Sequence, residues 1–326
     1  MSQFQPLRLL LIALLAAFAS VLVSLLSGSV ELSFNDLIAY TVGELPALQR
    51  QVLEDIRLPR TLAAFVTGAA LALAGVLMQV LLRNPLADPY ILGLSGGAAV
   101  GALASIMLGL GGWWLSGTAF VGALVSVGVV FGIASRSGRW STTHLLLTGV
   151  VVSAGWGALI NLMLSTSASA SVQGMLFWLM GDLSQSRVGL LQIGILITGS
   201  ALALRAARSL NVLVRGDLVA ASLGVHVNRL RLSLFFGASL LTVIAVTTAG
   251  SVGFVGLVVP HMLRLTGARD HRLLIPFSLL AGGTFLVVAD TLARTLLAPQ
   301  QLPVGVITAL IGVPSFIAIL RSAPSR

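Results

Sequence analysis

Residues 57–89 read RLPRTLAAFVTGAALALAGVLMQVLLRNPLADP. The apolar stretch over 62–82 is about 20 residues long, enough for a helix to cross the hydrocarbon core of a bilayer. Arg57 and Arg60 stand at its entrance, and Asn84-Pro85-Leu86-Ala87-Asp88-Pro89 closes its exit. In that Pro-bracketed turn, Asp88 reads as an N-cap and Pro89 as the first-turn proline of the next apolar helix. The pattern describes a tight hairpin of two membrane helices with a basic mouth on one side.

Outward from this stretch the texture is the same. Of 326 residues, 57% are hydrophobic and 9% charged, and the mean hydropathy is +1.02. A water-soluble protein carries roughly a quarter charged residues. The expectation is one transmembrane domain over 1–326, with no room for a large soluble appendage. All 19 basic residues are arginine. In membrane proteins arginine marks cytoplasmic loops, so the net charge of +9 does not point to nucleic acid. The absence of cysteine excludes disulfides and thiolate metal sites. The absence of lysine excludes a G-x-x-x-x-G-K-[ST] loop, so this chain has no usual cradle for ATP phosphates.

Counting apolar runs predicts an all-α polytopic membrane protein with about ten transmembrane helices: 7–26, 58–82, 90–108, 114–135, 143–164, 188–207, 230–248, 252–265, 273–296 and 304–320. The eighth is short and interrupted by glycine and proline. Arg8 and Ala17-Phe18-Ala19 have the look of a cleavable leader, but the apolar run continues to Leu26, so a retained first span is expected. With both termini cytoplasmic, Arg8, Arg83, Arg136, Arg139, Arg205, Arg208, Arg215, Arg229, Arg231, Arg264, Arg269, Arg272, Arg321 and Arg326 fall inside. Only Arg50, Arg57, Arg60, Arg187 and Arg294 fall outside. Two segments look too short to span: 33–40, capped by Ser33, and 172–180, with its Phe177-Trp178 pair. Gly93/Gly97/Gly101 and Gly68/Ala72 have the small-xxx-small spacing that lets membrane helices approach closely.

Some patterns carry no chemistry. Gly93-Leu-Ser95-Gly-Gly97 matches a nucleophile elbow, but Ser95 falls in an apolar helix and the elbow needs a strand–turn–helix context. An intramembrane protease would also need a histidine at the depth of Ser95, and all four histidines fall near cytoplasmic ends. Pro260-His261…Arg264 lacks partner ligands for a metal and reads as structural. No catalytic or metal site is expected. An ion-coupled secondary transporter, the alternative function, would need acidic residues at the bilayer midplane. Only Asp290 is a doubtful case, and its i, i+4 spacing to Arg294 suggests an ion pair.

The blocks RLPRTLAAFVTGAALALAGVLMQVLLRNPLADPYILGLSGGAAVGA (57–102), GSVGFVGLVVPHMLRLTGARDHRLLIP (250–276) and ADTLAR…LPVGVITALIGVPSF (289–316) resemble the permease subunits of ABC importers for vitamin B12, ferric siderophores and haem. The likeness runs in register from about 57 to 319. It implies a homodimer in the bacterial inner membrane, two cytoplasmic ATPases carrying ATP-Mg, one periplasmic binding protein, and no cofactor on this chain. Import of a metal chelate would be driven by ATP through alternating access. The likeness gives roles to residues in turn. Arg57, Arg60 and Arg294 would receive glutamates of the binding protein. Asp217, Leu218, Ala220, Ala221, Leu223, Gly224 and Val225, in a coupling loop over 210–228, would dock as two short helices into the ATPase. Asn84, Leu86, Thr142 and Thr143 would narrow the cytoplasmic end of the pathway. From the residues alone, headgroup anchoring of the outer arginines and plain turn chemistry at the constriction stay open.

Overall fold

The computed structural model describes residues 5–135 and 142–322. Arg136, Arg139 and Arg326 of the expected cytoplasmic set lie outside them. Among the described residues the chain is helical throughout, with no strand: α1 (Gln5–Leu26), α2 (Phe34–Val42), α3 (Ala47–Gln51), a π turn (Val52–Arg57), α4 (Leu58–Leu81), a 3-10 turn (Pro89–Leu92), α5 (Leu94–Met107), α6 (Trp113–Ser135), α7 (Thr142–Thr166), α8 (Ser169–Met180), α9 (Leu190–Leu213), α10 (Asp217–Ser222), α11 (Val227–Ala249), α12 (Val255–Leu265), α13 (His271–Thr295) and α14 (Val304–Ser322).

Seven helical stretches are long and apolar enough to cross a membrane: α1, the continuous α3–α4, α6, α7, α9, α11 and α13. Helices α5, α12 and α14 are apolar but shorter. Together they correspond to the ten expected spans. The short segments α2 and α8 lie where the sequence placed non-spanning elements, and Ser33 caps α2 through a reciprocal capping box with Asp36.

Three boundaries differ from expectation, each for a local reason. The span expected at 90–108 begins as a 3-10 turn capped by Asp88. Gly93 then takes a left-handed conformation (φ 73°), so regular helix starts only at Leu94. The eighth span contracts to α12 because Gly250 (φ 68°) and Phe254 (φ 69°) break the backbone before it. Its 11 residues rise about 16 Å, roughly half the hydrocarbon thickness. In the region 210–228 only one short helix forms, α10. The second expected helix is absorbed into the first turn of α11.

Helix α4 is the axis of the fold, with 19 of its 24 residues buried. Apolar surface gains nothing by leaving lipid tails for another helix, so association here rests on close backbone packing. Glycine provides it. A Cβ on Gly68 would strike the Gly282 carbonyl, and one on Gly75 would strike Gly256. Across α5 and α6, Gly97 and Gly101 meet Gly122 and the Thr118 carbonyl in the same way. Leucines of α1, α7 and α9 point outward over an apolar periphery. Helices α4 and α13 run antiparallel, with Arg60 beside Asp290 and Gly68 beside Gly282. One end of the molecule therefore gathers Arg57, Arg60, Asp290 and Arg294. The other gathers the turn after α4, helix α10 and the start of α13.

Candidate functional site

At the arginine end, the last turn of α1 leaves backbone carbonyls without helical donors. Two arginines satisfy them. Arg57 donates to the carbonyls of Leu25 (2.7 Å) and Leu26 (3.1 Å) and to that of Val30. Arg294 donates to the Ser27 carbonyl (2.8 Å), the Ser24 hydroxyl (2.8 Å) and the Ser24 carbonyl. A cation at a helix C-terminus also meets the negative end of its dipole. Gly28 makes the approach possible: a Cβ there would lie 2.7 Å from the Arg57 guanidinium.

The carboxylate of Asp290 goes to Arg60. Arg60 Nε donates to both oxygens at 3.0 Å, Nη2 donates to Oδ1 at 2.9 Å, and Nη1 reaches Gln301 at 2.8 Å. The i, i+4 spacing predicts Arg294 as the partner of Asp290, but Arg294 Nε stands off at 3.7 Å. The bidentate contact is to a residue 230 positions away, which no local pattern announces. Arg57 is 3% exposed and Arg60 7%, so both guanidiniums are engaged inside the fold. All three still line an open cavity of about 430 Å³, with Gln301, Thr295 and the 28–30 loop. Among the described residues no acidic side chain lines it, and Asp290 behind it balances one of three positive charges. Asp290 itself is 1% exposed, paired with Arg60, and has Arg294 3.7 Å away.

At the opposite end, Gly216 (φ 125°) releases the chain from α9 into α10, and Gly224 (φ 79°) turns it into α11. A positive φ is a conformation glycine adopts without steric cost. Between the two glycines, Ala220 is buried against the body. Leu218 is 88% exposed and Leu223 64%. Apolar side chains thus stand on a short, stiff projection. Asp217 anchors its base, accepting from Arg231 Nη2 of α11 (2.8 and 3.0 Å) and pairing with Arg83.

The turn after α4 lies beside this base. Asn84 Oδ1 accepts from the Leu86 amide at 2.9 Å, and Leu86 is exposed. Asp88 accepts from the Tyr90 amide at 2.7 Å; burial raises its pKa to about 6 against that lowering contact. Thr142 and Thr143 open α7, a separate helix, Thr143 exposed and Thr142 half-buried. Sequence reasoning counted Arg83 and Arg231 only as topology markers; their link to Asp217 is a tertiary fact. Arg264 bonds Gln79, whose amide donates to the Gly256 and Leu257 carbonyls, in keeping with a structural role for the Pro260–Arg264 stretch. Ser95 lies in the first turn of α5, far from any strand context.

The profile of the FecCD transport family matches residues 13–322 of this fold. The chain belongs to the FecCD transport family. Within it, the chain is 42% identical over 287 residues to the cobalamin import system permease protein BtuC of Halobacterium salinarum, covering 86% of this chain and 76% of that protein. It is 38% identical over 329 residues to the vitamin B12 import system permease protein BtuC of Shigella boydii, covering 98% and 97%. A solved structure of a metal-chelate type ABC transporter in an inward-facing conformation superposes with a TM-score of 0.86 at 30% identity, covering 96% of this chain and 99% of that one. The chain is therefore a membrane permease subunit of the B12 and metal-chelate type of ABC importer.

Proposed function

We propose that two copies of this FecCD permease form the pathway along their two-fold axis. Each would dock one ATPase through α10, and the pair would receive one periplasmic binding protein at the arginine end. ATP-Mg on the ATPases then drives alternating access, with hydrolysis on those separate chains and both termini of this one in the cytoplasm of a bacterial inner membrane. The cargo is a metal chelate: cobalamin first, on the names of the relatives, then a ferric siderophore or haem. The observation that supports the two-ended reading most directly is the projection of α10. Leu218 and Leu223 stand bare at the end of the molecule opposite the arginine cavity. Apolar knobs on a rigid base suit insertion into a protein groove.

The cavity at the other end supports docking of a carboxylate. Two positive charges per copy are unbalanced there, and Arg grips carboxylates through paired hydrogen bonds. An open apolar groove of about 600 Å³ runs along α8, the 251–254 loop and α14, lined by Leu179, Met180, Phe254 and Leu310. It has no charged group to select cargo, which suits a permease whose partner does the selecting. The test is reconstitution with the ATPase and the binding protein from the same operon, and measurement of ATP-dependent cobalamin uptake. Uptake of a siderophore instead would change the cargo. Uptake that persists without ATPase would overturn the mechanism.

A further inference from the structure

Helix α10 packs mainly on α9 and α11, the helices it joins. Toward the turn after α4, Asp217 at the start of α10 pairs with Arg83. Arg83 directly precedes Asn84, Pro85 and Leu86. Its backbone is left-handed, φ 48°, at the point where α4 ends and the Asn84 amide folds back to the Gln79 carbonyl at 3.1 Å. A helix end of this kind favours glycine, and a larger residue there costs about 1 kcal/mol or more. An arginine at such a position needs a reason in its side chain, and its guanidinium is on Asp217. Asp217 is in turn held from the other side by Arg231, a buried residue of α11. The carboxylate lies between two cations on different elements and ties them together.

We infer that the Arg83–Asp217 pair is the mechanical link between α10 and the 84–86 turn, so that displacement of α10 by its partner moves the cytoplasmic constriction. Arg83 is a positioning residue: it acts through Asp217. The inference rests on the reading of α10 as the ATPase-docking element.

The chain has no cysteine, so Leu86→Cys is a clean reporter. Its labelling rate with a membrane-impermeant maleimide is measured in the assembled complex, nucleotide-free and vanadate-trapped. Arg83→Gly is the informative background, because glycine suits the left-handed backbone and leaves the turn at least as stable. The expected result is normal ATPase association with a nucleotide-dependent change in labelling reduced by about fivefold, the upper end for a partly exposed ion pair. Arg83→Lys, which keeps the charge, should retain most of the change. An undiminished change in Arg83→Gly overturns the inference. So does a reporter that ignores nucleotide in the wild-type background, or loss of ATPase association in Arg83→Gly. The underlying reading of α10 fails separately, if Leu218→Glu and Leu223→Glu permeases bind the ATPase as wild type does.

Discussion

Replacing Asp290 by alanine removes the one carboxylate at the centre of the arginine cluster. Arg60 loses three charge-assisted hydrogen bonds and keeps one, to Gln301; Arg294 keeps its bonds to the end of α1. Breaking a buried ion pair on one side costs about 3–5 kcal/mol, because the remaining charge stays buried without compensation. Arg60 borders an open cavity, which lets water reach it, so the lower end, about 3 kcal/mol, is the expected loss. Purified permease in detergent, followed by the fluorescence of its five tryptophans during thermal unfolding, reads this directly. The double replacement Arg60→Met/Asp290→Leu removes both charges and should recover most of the loss, since a well-packed apolar pair replaces a buried ion pair at little cost. Asp290→Asn adds a further separation: it raises the net positive charge of the cavity by one while keeping an acceptor for Arg60. If the cavity receives an acidic partner, Asp290→Asn should bind that partner at least as tightly as wild type while unfolding more easily. Wild-type stability in Asp290→Ala, or a double variant as unstable as the single one, would refute the assignment of Asp290 as the counter-charge of this end.

Gly224→Val forces a β-branched residue into φ 79°, and should impair ATP-driven uptake while the permease still inserts and dimerises; unchanged uptake and ATPase association would count against α10 as the coupling element. Cysteines at Thr142 or Thr143 should cross-link to their copies in some nucleotide state, for which the Cα atoms must come within about 7 Å; no cross-link in any state moves the inner gate elsewhere. Reporter fusions after Gly28 and Ser167 should read the outer side and a fusion after Asp217 the inner side; the reverse pattern sinks both the topology and the docking of α10. Asp88 has its pKa raised to about 6 in the fold, so the folded state holds the proton more tightly than the unfolded chain, and stability should fall as pH rises from about 4 to about 6, by up to about 3 kcal/mol. Asp88→Asn keeps an acceptor for the Tyr90 amide without the charge, so its unfolding temperature should drop less than that of wild type between pH 4 and pH 7.

What the sequence makes legible, and what it hides, follows from the range of the interaction. The Ser33 cap of α2, the turn at Gly224 and the close-packing glycines 68, 97 and 101 are set by neighbours or by simple spacing, and can be read along the chain. The start of α5 could not be read so well, because Asp88-Pro89 signals a helix N-terminus equally for a 3-10 turn and for an α-helix; Gly93 decides between them only once its φ is known. Residues far apart in the chain set the rest. Arg60 and Asp290 are joined by the antiparallel register of α4 on α13, which Gly68 and Gly282 fix by letting the backbones touch.

That register changes how the arginine end must be probed. From spacing alone, Arg294 is the residue entangled with Asp290, and Arg57 and Arg60 are the clean probes of docking. In the fold, Arg60 is the entangled one, so Arg60→Glu would place a second carboxylate against Asp290 and destabilise the protein whatever its partner does. Arg57 holds backbone carbonyls rather than a charge. Its replacement by Gln removes the positive charge and leaves a shorter amide that cannot reach all three carbonyls. Arg57→Gln should therefore cost the fold about 1–3 kcal/mol, the range for hydrogen bonds from a charged donor. If a carboxylate of the binding protein does enter the cavity, the same variant should weaken that association with a reduced dependence on salt. Loss of stability without loss of binding would make Arg57 a cap for α1 and nothing more.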